Sequence, residues 1–137
     1  MKSTQKPPVR GRILAVDDCG HMGLLVQASL ESFGYSVKVV ASGVAALDAA
    51  EREHFDAVVL DVEMPELDGL AVGRALRSDP KTRSAMIAMH TSVDEASVRS
   101  GFDQYDAYLP KPCSPQLIGE CVDKLIRSRV GERVVTA

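Results

Sequence analysis

The sequence has no excess of basic residues. Its 16 Lys and Arg stand against 19 Asp and Glu, for a net charge of −3. That balance gives no ground for direct nucleic-acid binding. Cysteine is also sparse, with three residues at irregular spacing. An odd, irregular set makes neither a disulfide framework nor a CxxC metal site, so a reducing, cytoplasmic setting is expected. No apolar run approaches the ~18–20 residues that span a bilayer. Residues 1–10 carry Lys2, Lys6, Pro7 and Pro8 but no apolar stretch. They are expected to form a disordered arm and not a signal peptide. Internal repeats, low-complexity tracts and a Gly-rich nucleotide loop are missing. So are a histidine helix for phosphotransfer and a second block large enough for an output domain.

What is present fits one domain. The chain has 137 residues, 45% apolar and 26% charged, as in ordinary globular proteins. Short apolar runs alternate with helical patterns. Arg12-Ile13-Leu14-Ala15-Val16, Val37-Lys38-Val39-Val40, Ala57-Val58-Val59-Leu60, Met86-Ile87-Ala88-Met89 and Ala107-Tyr108-Leu109 read as strands. Between the first two, Met22, Leu25, Val26, Leu30 and Phe33 recur at helical spacing, and Gly34 stands at a helix end. Ser42 caps a second helix with Val44, Leu47 and Ala50 inward. Leu67, Leu70, Ala71 and Ala75 mark a third, which stops near Pro80. A fourth covers roughly 94–100. The fifth follows Ser114-Pro115 and carries Leu117, Ile118, Cys121, Val122, Leu125 and Ile126, with a frayed tail over 129–137. Five strands alternating with five helices imply right-handed βαβ crossovers, a parallel sheet and helices on both faces. Pro110 and Pro112 place the last strand at a sheet edge.

In such sheets the functional crevice lies at the carboxyl ends of the strands. The first strand ends in Asp17-Asp18, the third in Asp61, the fourth in Thr91 and the fifth just before Lys111. Adjacent strands lie ~4.8 Å apart, so these carboxylates converge. Two carboxylates ~4 Å apart repel by about 4 kcal/mol at an effective dielectric of ~20. A protonated carboxyl or a cation must relieve them, and an all-oxygen site with room for water suits Mg²⁺. A carboxylate nucleophile, a hard cation, a lysine and a hydroxyl form a set suited to phosphoryl transfer. Each residue alone is commonly mere surface chemistry; their meeting at one sheet edge is the signal.

Over residues 11–128 the chain resembles a response-regulator receiver domain of two-component signalling. The resemblance rests on Asp17-Asp18, on Asp61 in Asp61-Val62-Glu63-Met64-Pro65-Glu66-Leu67-Asp68-Gly69, on Thr91, and on Lys111-Pro112. It implies a flavodoxin-like, doubly wound α/β fold with five strands in the order 2-1-3-4-5 and five helices. It implies that Asp61 accepts a phosphoryl group from a histidine kinase or histidine phosphotransfer protein. Asp17 or Asp18, Asp61 and the Glu63 backbone carbonyl would hold Mg²⁺ (or Mn²⁺). Lys111 and Thr91 would contact the phosphoryl oxygens, and Tyr108 would turn inward as Thr91 moves. The face of the fourth helix, fifth strand and fifth helix would then rearrange for a downstream protein. The chain would be a monomer or weak dimer, and a phosphoacceptor rather than an enzyme in its own right.

The chain departs from the family pattern at Cys19, at Cys113, and at His90-Thr91-Ser92, where an apolar residue, Thr or Ser, and Ala are usual. A one-residue shift would put His90 at the switch position, and Thr91 is preferred. Glu63 adds a carboxylate two residues beyond Asp61, where the family tunes phosphoryl lifetime. The connection over 101–106 is long. Two other classes compete. An aspartate-nucleophile phosphohydrolase would have Asp at position 63 and a cap domain. A flavodoxin-type cofactor binder would have a phosphate loop where Asp17-Asp18-Cys19 stand. A receiver that no longer accepts phosphate and binds constitutively is the third alternative.

Overall fold

The structure is a computed structural model and describes residues 9–136. Most of the expected N-terminal arm, residues 1–8, lies outside the described residues. The elements in order are β1 (Arg12–Val16), α1 (Gly20–Ser32), β2 (Ser36–Val40), α2 (Gly43–Arg52) and β3 (Ala57–Leu60). Then come α3 (Gly69–Ser78), β4 (Met86–Thr91), α4 (Glu95–Gly101), β5 (Ala107–Pro110) and α5 (Pro115–Thr136). All four strand pairs are parallel, and the sheet order is β2-β1-β3-β4-β5. This is the doubly wound α/β fold expected from the strand–helix alternation, with the proline-bearing β5 on an edge.

Strand residues alternate between two cores. Leu14, Val16, Val58, Leu60, Ile87 and Met89 pack under α2, α3 and α4. Ile13, Ala15, Ala57, Val59 and Ala88 pack under α1 and α5. Each sheet face is covered, which is why the strands read as continuous apolar runs. Phe102 seals the first core; its ring packs where Gly73 leaves room. Arg77 ties the long connection down, donating to the carbonyls of Gln104 and Ala85 and pairing with Asp106 at 2.9 Å.

Several helix faces differ from the expectation. Val44 is 63% exposed, Leu25 37% and Leu117 44%. The inward positions are Ala46, Ala49 and Ala50 in α2, Val72 and Leu76 in α3, and Ile118, Val122 and Ile126 in α5. Apolar residues beside a stripe satisfy a helical count as well as those within it, and only packing separates them. The last helix also runs on to Thr136, where the sequence suggested a frayed tail after Ser128. No proline interrupts that stretch, so the backbone ladder continues.

The helix ends are set locally. Gly34 has φ +96, and its N–H and that of Tyr35 return to the carbonyls of Glu31 and Leu30. This is the paired closure that a left-handed residue after a helix permits. Ser42, Asp68 and Asp94 cap α2, α3 and α4 through their side-chain oxygens. Gly69 matters most for the site. A Cβ there would lie 2.0 Å from the Asp61 carbonyl oxygen. Gly69→Ala should therefore push the Asp61 backbone out of place and destabilise the fold by about 3 kcal/mol, as forced overpacking does. Urea unfolding of the variant checks this.

Candidate functional site

Strand register assembles the site. Val16 is level with Leu60, and Leu60 with Met89. The next residues along, Asp17, Asp61 and His90, therefore stand side by side at one sheet edge. Asp61 N–H donates to the Val16 carbonyl at 3.0 Å, which carries the ladder up to the site. Asp17 is 4% exposed, Asp61 5% and Thr91 0%, whereas Asp18 is exposed.

One carboxylate oxygen from each of Asp17, Asp18 and Asp61 lies within 4.8 Å of the others. Lys111 Nζ donates to Asp17 Oδ2 at 2.7 Å and to Asp61 Oδ2 at 3.2 Å. The second Asp17 oxygen accepts the Cys19 N–H, and the second Asp61 oxygen accepts the Val62 N–H. Asp18 enters no ion pair among the described residues. One lysine thus faces three carboxylates. The residual negative charge and the all-oxygen donor set fit a hard divalent cation.

The protonation states follow from these contacts. Burial raises the pKa of Asp61 above the ordinary carboxylate range, against the pull of Lys111 and with help from the Asp17 charge. Burial alone would lower the pKa of Lys111, but its hydrogen bond to Asp17 and the charge of Asp61 win, and it is raised. Lys111 is a fixed cation at neutral pH.

Thr91 and Tyr108 meet through Val93. The Thr91 hydroxyl accepts the Val93 N–H at 3.2 Å, and the Tyr108 hydroxyl donates to the Val93 carbonyl at 2.6 Å. The Thr91 hydroxyl is also near enough to Asp61 to favour its ionised form. Tyr108 is half-buried. The Lys111–Pro112 peptide is cis. Of the residues that the sequence assigned to the site, Asp17, Asp18, Asp61, Glu63, Thr91 and Lys111 lie at this edge or in the loops beside it, while Tyr108 lies within β5, level with Met89.

Comparison with known proteins decides the family. Residues 13–123 match the family model described as response regulator receiver domain. The chain belongs to the response regulator receiver family. Over 103 residues the receiver domain is 46% identical to the response regulator MprA of Mycobacterium leprae (strain TN), covering 74% of this chain and 44% of that protein. It spans less than half the length of the curated relatives it matches. Among solved structures, it is similar to the chemotaxis protein CheY4 of Vibrio cholerae, with a TM-score of 0.77 and 27% identity over 82% of this chain and 96% of that one. It is equally similar to the receiver domain of the sensor histidine kinase PA1611 from Pseudomonas aeruginosa PAO1, described with a magnesium ion coordinated in the active site cleft. There the TM-score is 0.77, with 30% identity over 85% of this chain and 97% of that one. No helix among the described residues is long and apolar enough to cross a membrane.

The structure adds two features that the sequence left unseen. Ser92 Oγ donates to Glu63 Oε1 at 2.8 Å, bridging the loops after β3 and β4. His90, expected to be partly buried, is only 2% exposed, and its Nε2 has no hydrogen-bond partner among the described residues. Its polar identity hid its position, since it stands in a buried strand between Met89 and Thr91 and level with Leu109 of β5. Burial, reinforced by the Lys111 charge, lowers its pKa from 6.5 to about 4.

The sign of the resulting pH dependence is fixed. The folded pKa lies below the unfolded one, so the unfolded chain binds the proton more tightly. Stability from neutral His90 is complete above pH 6.5 and is lost as pH falls toward 4. The loss should reach about 3 kcal/mol at most. Urea unfolding at pH 7 and pH 5 should show it, and His90→Leu should flatten that part of the profile.

Proposed function

We propose that this receiver domain is a phosphoacceptor switch in a two-component system or phosphorelay, with Asp61 as the acceptor. The observation that carries the reading is a buried carboxylate held by an ammonium at 3.2 Å beside two further carboxylates. Asp61 attacks the phosphorus of a phosphohistidine on a histidine kinase or histidine phosphotransfer protein. The P–O bond forms as the P–N bond breaks, and the electron pair returns to the imidazole. Asp17, Asp18, Asp61 and the Glu63 carbonyl would hold Mg²⁺ (or Mn²⁺), which when bound supplies positive charge to the phosphoryl oxygens.

The chain's own residues then read the product. The new group brings a charge of about −1.5 to −2 at pH 7. Lys111 shifts from Asp61 to a phosphoryl oxygen. The Thr91 hydroxyl turns to donate to another, leaving the Val93 N–H. Because the same Val93 peptide holds Tyr108, that movement releases Tyr108 to turn inward. The surface of α4, β5 and α5 changes for a downstream protein. The cytoplasm is the proposed setting, which suits three free cysteines.

The test is incubation with Mg²⁺ and a small acyl-phosphate donor, followed by intact mass. A labile adduct of one phosphate is expected. Repeated turnover of varied phosphate esters would point instead to a hydrolase. No adduct and no Mg²⁺ binding would leave a constitutive binding module.

A further inference from the structure

The long connection between α4 and β5 carries a tyrosine that reaches back to the start of α4. The Tyr105 hydroxyl donates to Glu95 Oε2 at 2.6 Å, and Arg99, one turn on from Glu95, donates to the same oxygen at 3.0 Å. Beyond the Asp94 cap, Tyr105 makes the one hydrogen bond from a side chain outside α4 to its first turn, among the described residues. The two partners belong to different bodies. Tyr105 sits between Gln104, whose carbonyl accepts Arg77 Nε at 2.8 Å, and Asp106, whose carboxylate accepts Arg77 at 2.9 Å and the Ile87 N–H at 2.8 Å. It is thereby fixed to α3 and to the start of β4. Glu95 stands two residues after Val93, whose N–H and carbonyl engage Thr91 and Tyr108. The far end of α4 is pinned separately, by Arg74 donating to the Gly101 carbonyl and by Phe102 packed against Gly73.

We propose that the Tyr105–Glu95 pair is a latch: it holds the first turn of α4 in its resting place and so sets the threshold at which a phosphoryl group on Asp61 switches the chain. The inference rests on Asp61 being the phosphoacceptor and on Val93 carrying its signal to α4. When Thr91 and Tyr108 release Val93, the segment from Val93 to Glu95 moves. Tyr105 cannot follow, because contacts with Arg77 and Ile87 hold both of its neighbours. The Glu95 carboxylate must therefore leave the Tyr105 hydroxyl, and only the switched state bears that loss. A contact present in one of two states shifts the equilibrium by its own free energy. By linkage it also weakens binding of any ligand that favours the other state. The helix is only seven residues long, and so short a helix has little stability of its own to place its first turn. The latch supplies that placement from outside.

The experiment titrates beryllofluoride, a non-covalent mimic of the phosphoryl group, into the chain in Mg²⁺ buffer and follows the bound species by fluorine NMR. It compares the unmodified chain with Tyr105→Phe, Glu95→Ala and the double variant. Tyr105→Phe keeps the ring beside Phe102, with centroids 6.5 Å apart, and removes only the hydroxyl. Each single variant should bind the mimic about fivefold more tightly, at the low end of coupling between sites. The double variant should gain no more than either single one. Without the mimic, amide exchange in Tyr105→Phe should quicken over 93–97 and stay unchanged over 86–91. A Tyr105→Phe chain that binds the mimic no more tightly than the unmodified one overturns the latch and leaves Asp61 as acceptor. So do gains that multiply in the double variant, or exchange over 93–97 that is no faster. An unmodified chain that binds no mimic overturns the phosphoacceptor reading and the latch with it.

Discussion

Asp61→Asn is expected to reduce phosphoryl uptake to background while making the protein more resistant to unfolding. The amide matches the carboxylate in shape but is no nucleophile, so no acyl phosphate forms. The stability gain follows from the raised pKa of Asp61. A carboxyl with a raised folded pKa contributes stability that is fully present below its unfolded pKa. That stability is lost as pH rises through the folded value. At neutral pH the ionised side chain, beside Asp17 and 5% exposed, is a net cost to the fold. The amide removes that cost and the repulsion with it. Thermal unfolding without divalent cation should show a higher midpoint for Asp61→Asn, and adding Mg²⁺ should narrow the gap by stabilising only the unmodified site. A variant that unfolds earlier would mean that the Lys111–Asp61 contact outweighs burial and repulsion.

Lys111→Met should have the opposite effect on stability. The ammonium makes two contacts, at 2.7 Å to Asp17 and 3.2 Å to Asp61, and both carboxylates are nearly buried. Methionine keeps the apolar stem but leaves two adjacent anions without a counter-charge. Breaking a buried pair from one side costs about 3–5 kcal/mol, and the lower end applies because Lys111 itself is partly open to water. The expected loss is about 3 kcal/mol in urea unfolding at pH 7. Mg²⁺ should return more stability to this variant than to the unmodified chain, since a cation among the carboxylates replaces the missing charge. Phosphoryl uptake would persist at a reduced rate, but the Thr91–Val93–Tyr108 linkage would no longer respond.

These expectations draw on features that differ in how visible they are in the chain. The sheet was legible because its strands are buried on both faces. An unbroken run such as Ala57–Leu60 has few alternatives once Asp56 and Asp61 bound it. The site was legible for a related reason: a strand that ends abruptly in a carboxylate places that carboxylate at the sheet edge. Register then brought Asp17 beside Asp61 without any information from loops. Helix faces were harder to read. Val44 and Ala46 both fit a helical count, and the choice between them depends on how close α2 lies to the sheet. Gly43, whose Cβ would meet the Leu67 carbonyl at 2.4 Å, shows how closely the start of α2 also abuts the loop before α3. The Glu63–Ser92 bridge joins residues 29 apart in sequence and depends on where two loops come to rest. His90 concealed its burial because a histidine in an apolar strand breaks the pattern that marks a core position.

The most direct measurement is the location of the phosphoryl group itself. Borohydride reduces an aspartyl phosphate to homoserine, and peptide mapping then reads the modified position. After incubation with an acyl-phosphate donor and Mg²⁺, homoserine is expected at position 61 alone. Reduction at Asp17 or Asp18, or a stable phosphohistidine at His21, His54 or His90, would contradict the account.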